Sequence, residues 1–253
     1  MDSVTVPERP EIDVTFDLRS DAGGKDPDSH SSTLRQYHRV LWSKPLADGT
    51  QFALEDLKSK GYLRHRSHRG EFLLSSDTIF RTFSGVKRMQ HIIAQIPTID
   101  REDALRRGYT IGSMILFPGV KVGGMTINQA RGTNAKIQDR FDLTLECIRR
   151  HYVGAASPLA QDLARYATFF GLFEDFRGYI DFFFLQDLVT DDHSSVRFWA
   201  PFDNFTTSPF PADIDAYLRY RSEMFRWVDA RNQRIAAEFV LRPPGATARS
   251  TAR

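Results

Sequence analysis

The chain has 253 residues, of which 41% are hydrophobic and 26% charged, enough to bury one sizeable core. Its 34 basic and 32 acidic side chains leave a formal net charge of +2. That excludes a protein that coats nucleic acid or an anionic membrane nonspecifically, though not a local basic patch. The lone cysteine, Cys147, excludes an intrachain disulfide and a CxxC-type zinc site.

Residues 1–10 hold two prolines and mixed charge and read as a flexible arm. The opening "MDSVTVPERPEIDV" has no basic region followed by an apolar one, so a cytoplasmic setting is expected. "IDVTFDL", 12–18, alternates apolar and polar positions, which predicts a strand. Residues 19–32 read as loop. A helix follows over 33–43, with Leu34, Tyr37, Val40 and Leu41 on one side and Pro45 as its stop. "YLRHRSHRGEFLLSSDTI", 62–79, predicts two strands around a basic turn. Short helices are expected over 86–96 and 100–107. "YTIGSMILF", 109–117, reads as a buried central strand, with "MTIN" pairing back on it as a hairpin.

The clearest periodicity lies over 135–152, where Ile137, Phe141, Leu145, Ile148 and Tyr152 share a helix face. Ser157 and Pro158 read as the cap and first residue of a helix reaching Phe173. Residues 176–189 are expected to be helical and deeply buried. The most apolar stretch, 179–189, is too short and too charged to span a bilayer, so no membrane partner is expected. "SVRFWAPF", 195–202, reads as a strand. Asp213 is placed to cap a long last helix, 213–238, ahead of the prolines at 243 and 244. Residues 242–253 read as a disordered basic tail. With strands early and helices late, the pattern predicts a single α+β domain over 11–241, a mostly antiparallel sheet packed against helices of the C-terminal half. Trp42 and Trp199 are expected in its core.

The stretches "TLRQYHRVLWSKPLADGTQF", "GEFLLSSDTI" and "DRFDLTLECIRRHY" resemble a family of bacterial proteins known only as a domain of unknown function. The resemblance spans roughly 12–238. It implies one continuous domain and carries no activity, cofactor or catalytic residue.

Candidate chemistry therefore rests on the residues themselves. In "NQARGTNAK", 128–136, a small-residue turn before a helix start could admit an anion to free backbone N–H groups, with Arg131, Gly132 and Lys136 forming the site. The plainer reading is a capped turn with solvated cations. Arg64, Arg66 and Arg69 in "RHRSHR" could meet a phosphodiester backbone, or simply keep a hairpin tip soluble. His65 and His68 lack a third metal ligand at a typical spacing, and no metal site is assigned. Asp187 and Asp191 could share a cation if one helix held both, while Asp191 and Asp192 read better as a turn. Asp181 and Asp187, inside an apolar run, are weak catalytic candidates as raised-pKa bases, or else partners of Arg177 or Arg197. Ser75, Ser76 and Asp77 lack a nucleophile elbow and read as a strand-end turn. Cys147 reads as a core thiol. Tyr37 and His38 could put a polar tip into a cleft, and a hydrogen-bonded core histidine is the plainer reading. Two functions remain open. One is an enzyme or binding protein acting on a phosphorylated small molecule or nucleotide, its cofactor unknown. The other is an interaction module meeting a partner protein or RNA in a regulatory or defence system.

Overall fold

The computed structural model describes residues 11–57 and 62–241, so the expected arm, 1–10, and tail, 242–253, lie outside the described residues. The N-terminal half begins with α1 (Pro27–His30) and α2 (Ser32–Trp42). The side chain of Ser31 caps α2 by accepting from Leu34 N. A two-residue ladder, β1 (Lys44–Pro45) with β2 (Gln51–Phe52), leads into the main sheet. That sheet is wholly antiparallel in the order β3 (Glu55–Leu57), β4 (Tyr62–Ser67), β5 (Gly70–Thr78), β6 (Met114–Pro118). Between β5 and β6 the chain forms α3 (Gln90–Ile93) and α4 (Thr98–Gly108). The C-terminal half is helical: α5 (Ile127–Thr133), α6 (Phe141–Tyr152), α7 (Ala160–Ala164), α8 (Ala167–Phe170), α9 (Phe176–Phe182) and α10 (Ile214–Leu241). The fold is thus α+β, with an N-terminal antiparallel sheet packed against C-terminal helices.

The predicted pair of strands around "RSHR" forms β4 and β5, in the register His65↔Phe72 and Leu63↔Leu74. Asp213 caps α10 by accepting from Ala216 N at 2.7 Å. Several other expectations are corrected. Residues 12–18 form turns rather than a strand. Asp13 accepts from Thr15 N at 2.8 Å and Asp17 from Arg19 N at 3.0 Å, and these side-chain turns replace a ladder. "MTIN" does not return as a strand. Thr126 and Gln129 form a capping box that starts α5, which places Gly132 inside the last turn of a helix. The helix expected over 135–152 begins only at Phe141, because Gln138 and Asp139 adopt left-handed φ values of 50° and 63°. Similarly, Phe184 at φ 55° ends the buried helix early, leaving α9 and a separate 3₁₀ turn at Gln186–Leu188. The expected helix to Phe173 is split into α7, α8 and a 3₁₀ turn. Residues 195–202 are no strand and make only the bridge Val189↔Val196.

β6 stands at one end of the sheet, yet every residue in it is buried. Trp42 sits at the centre of an aromatic core, its ring 6.1, 5.2 and 5.7 Å from those of Phe182, Phe183 and Phe184. Trp199 is buried as expected. Arg231 of α10 is fully buried without a carboxylate. Its guanidinium donates to Phe183 O, Gly112 O and Met114 O at 2.8–3.1 Å and lies between the rings of Trp42 and Trp227. One side chain thereby ties α10 to the start of β6 and to the turn after α9.

Candidate functional site: a carboxyl recess at the end of β5

The end of β5, Ser75 to Thr78, is half-buried and collects polar side chains from three helices. Trp42 Nε1–H donates to His38 Nδ1 at 2.9 Å, so the hydrogen of that imidazole sits on Nε2. Nε2 in turn donates to Ser76 Oγ at 3.0 Å. His38 is fully enclosed, and burial with the nearby Arg231 charge pushes its pKa down to about 3. The imidazole is therefore neutral and its tautomer is locked. It cannot take a proton from Ser76, which rules out a serine–histidine nucleophile of the hydrolase kind. Instead Ser76 accepts from His38, and its own hydroxyl hydrogen is left for another partner.

Beside Ser76 lies Asp28, held by α1 against β5. Asp26 caps that helix by accepting from Asp28 N, and Pro27 occupies its first turn. Asp28 Oδ1 is buried and has no hydrogen-bond partner. Burial pushes the Asp28 carboxyl up to about 8, with Asp77 and Asp26 adding repulsion, and the Ser76 hydroxyl and Arg131 offset only part of this. Asp28 is thus a carboxylic acid at neutral pH. Asp77 is also shifted upward by burial, against the pull of Arg131. Asn128 of α5 lies alongside, its amide donating to Ser75 Oγ at 3.4 Å, while its Oδ1 is buried and unpartnered.

Arg131 is fully buried beneath this recess. Its guanidinium pairs with Asp77 and donates to Asp139 O at 3.0 Å, Thr144 Oγ1 at 3.3 Å and Thr78 O at 3.4 Å. Its charge is neutralised and its donors are committed to protein. Gly132, near the C-terminal end of α5, faces the Asp139 carboxylate, and Lys136 Nζ reaches Thr206 O at 3.3 Å. The three residues expected to grip an anion are not brought together around a free space.

The other candidates are placed apart from the recess. Asp187 forms a two-pronged pair with Arg234 at 2.9 and 3.1 Å, and exposed Asp181 lies 3.8 Å from Arg177. Asp191 pairs with Arg197, and no helix carries both Asp187 and Asp191. Arg64 pairs with Glu55 and Glu71, Arg66 with Glu71, and Arg69 with Asp48. His65 is buried, stacked on Phe52 and bonded to Ala53 O and Ser67, whereas His68 is exposed. Among the described residues no group of three or more His, Cys, Asp or Glu is arranged to hold a metal ion. Burial holds the Cys147 thiol at about 12, which makes it inert.

A family model matches residues 12–235. The chain belongs to DUF6994, a family of unknown function. No curated protein and no solved structure matches it. The recess of this DUF6994 chain therefore has to be interpreted from its own chemistry. Sequence reasoning missed Asp28, although Asp26 and Pro27 are a readable helix start. What no local signal carried is the packing of that helix turn onto Ser76.

Proposed function

We propose that the protein is an enzyme acting on a small polar molecule by proton transfer at the β5 recess, with Asp28 as the proton carrier. The observation that supports this best is Asp28 itself: a carboxyl whose Oδ1 is buried without a hydrogen-bond partner, beside Ser76 and a second carboxyl, Asp77. A group that titrates near neutral pH is matched to general acid–base work. Asp77, anchored by Arg131, supplies the companion carboxylate. Ser76, oriented by the locked His38, supplies a hydrogen-bond donor.

The phosphorylated or nucleotide substrates expected from the sequence draw little support at 131–136, where Arg131 is buried and committed to protein contacts and only exposed Lys136 remains on the surface. A cytoplasmic bacterial setting goes with this reading. Among the described residues no helix is long and apolar enough to cross a membrane. The interaction-module alternative draws on one feature, the loop between β6 and α5, where Val120, Val122 and Met125 are exposed. Its RNA form has less behind it, because the hairpin arginines are paired with carboxylates.

The test is a thermal-shift screen of polar small molecules, nucleotides and phosphosugars on the wild type and Asp28→Asn. A ligand of the native state at ~100 times its Kd adds ~2.7 kcal/mol. The expected hit stabilises the wild type and loses its effect in the variant. An Asp28 carboxyl that titrates by carbon NMR in the ordinary carboxylate range would overturn the proposal.

A further inference from the structure

A cavity of about 280 Å³ lies away from β5's recess, between the segment following β5, α3, α4 and the start of α10. Its apolar wall includes Ile93, Leu105 and Tyr217. The Tyr217 hydroxyl is spent on Thr82 O at 3.1 Å, so the residue offers the cavity its ring. Two arginines, exposed Arg101 and half-buried Arg221, also line it. Most arginines of the described fold are tied to a carboxylate, but these two are not. Arg101 donates to Thr98 Oγ1 at 3.0 Å and keeps its remaining donors free. Half-buried Arg221 makes no ion pair or hydrogen bond among the described residues. A partly desolvated guanidinium without an acceptor is unfavourable, and an anion brought to it gains charge-assisted hydrogen bonds.

We infer that this cavity binds a small organic monocarboxylate, its head between Arg101 and Arg221 and its apolar body against Ile93, Leu105 and Tyr217. The volume is at the small end for ligand sites, which excludes a peptide or polynucleotide as occupant. The single carboxylate of the lining, Glu102, against two arginines leaves one net positive charge, which complements a monoanion better than a dianion. The Thr98 hydroxyl is at hand to donate a further hydrogen bond to the head. This site is independent of Asp28 and stands whether or not the recess is catalytic.

Isothermal titration of the full chain with straight-chain carboxylates from butyrate to octanoate tests the inference, with alkyl phosphates and alkylamines of matching length alongside. The expected result is carboxylate binding that strengthens with chain length until the cavity is filled, with no binding of the amines. Arg221→Gln should weaken it by at least about tenfold, the loss of a charge-assisted bond. Arg101→Gln, at an exposed position, gives the same reading should Arg221→Gln fail to fold. Tighter binding of the alkyl phosphates would overturn the carboxylate assignment. Absence of binding by any carboxylate, equal binding of the amines, or undiminished binding by a folded arginine variant would overturn the site.

Discussion

Asp28 has an acid form that the fold prefers, and this has a consequence in stability. The carboxyl's ordinary value is 3.8 and its folded value is about 8. Between these limits the folded chain binds more protons than the unfolded one, so stability falls as pH rises from about 4 to about 8. Asp77, shifted in the same direction, adds to the fall. Asn at position 28 keeps the shape without the ionisation. Urea unfolding at pH 5 and pH 8 should therefore show Asp28→Asn gaining about 1–3 kcal/mol on the wild type across that interval. An unchanged difference between the two pH values would place Asp28 among ordinary surface carboxylates. Arg131 carries the opposite expectation. Truncation to Ala leaves Asp77 without its cation and removes the hydrogen bonds to three further acceptors, at a cost of about 3–5 kcal/mol. Adding phosphate should not alter that loss. A loss under 1 kcal/mol, appearing only with phosphate present, would return Arg131 to the anion-gripping role read from the sequence.

At the scale of elements, what was legible depended on whether a local pattern had a competitor. α2, the β4–β5 hairpin and α10 carry periodicity and caps that agree, and they form where expected. At 12–18 the alternation is real, but Asp13 and Asp17 hold successive turns with their own side chains, and two such turns space apolar residues much as a strand does. At 126–129 the capping box competes with Gly132, a residue as much at home in a turn, and the box wins. Thr126→Ala should accordingly cost about 0.5–2 kcal/mol in thermal or chemical unfolding, the usual range for a lost cap. A neutral outcome would mean that packing of Ile127 and Ala130 alone sets the start of α5. The docking of α10 depends on a close approach that no pattern announces. A Cβ on Gly112 would collide with Asn232 Oδ1 and lie 2.7 Å from Val228 O, inside contact distance of side chain and backbone alike. Gly112 N also donates to Asn232 Oδ1 at 2.7 Å. Gly112→Ala should push α10 off the start of β6 and destabilise by about 1–3 kcal/mol, as overpacking does elsewhere. A melting temperature equal to that of the wild type would show that α10 shifts without cost.

Taken as a whole molecule, the chain is organised around contacts that join distant segments, which is why its site was less legible than its class. Composition and the order of elements suffice for α+β. The recess needs Asp28, His38, Ser76 and Arg131 together, and their meeting is a product of tertiary packing. The same long-range character predicts how the protein unfolds. Trp42, from the N-terminal half, is surrounded by Phe182, Phe183 and Phe184 from the C-terminal half. Arg231 satisfies carbonyls on both sides of that boundary. Neither half can bury its aromatic side chains alone, and an isolated C-terminal half would leave Arg231 with acceptors only at Phe183. Unfolding should therefore be one cooperative transition, with tryptophan fluorescence and far-ultraviolet circular dichroism coinciding in midpoint and slope. A fragment of residues 119–241 should show helical signal without a cooperative melt, because short helices are marginal once their packing surface is removed. Two separated transitions in the intact chain, or a cooperative melt of the fragment, would show that the helical half carries a core of its own and that Trp42 and Arg231 merely join two units already folded.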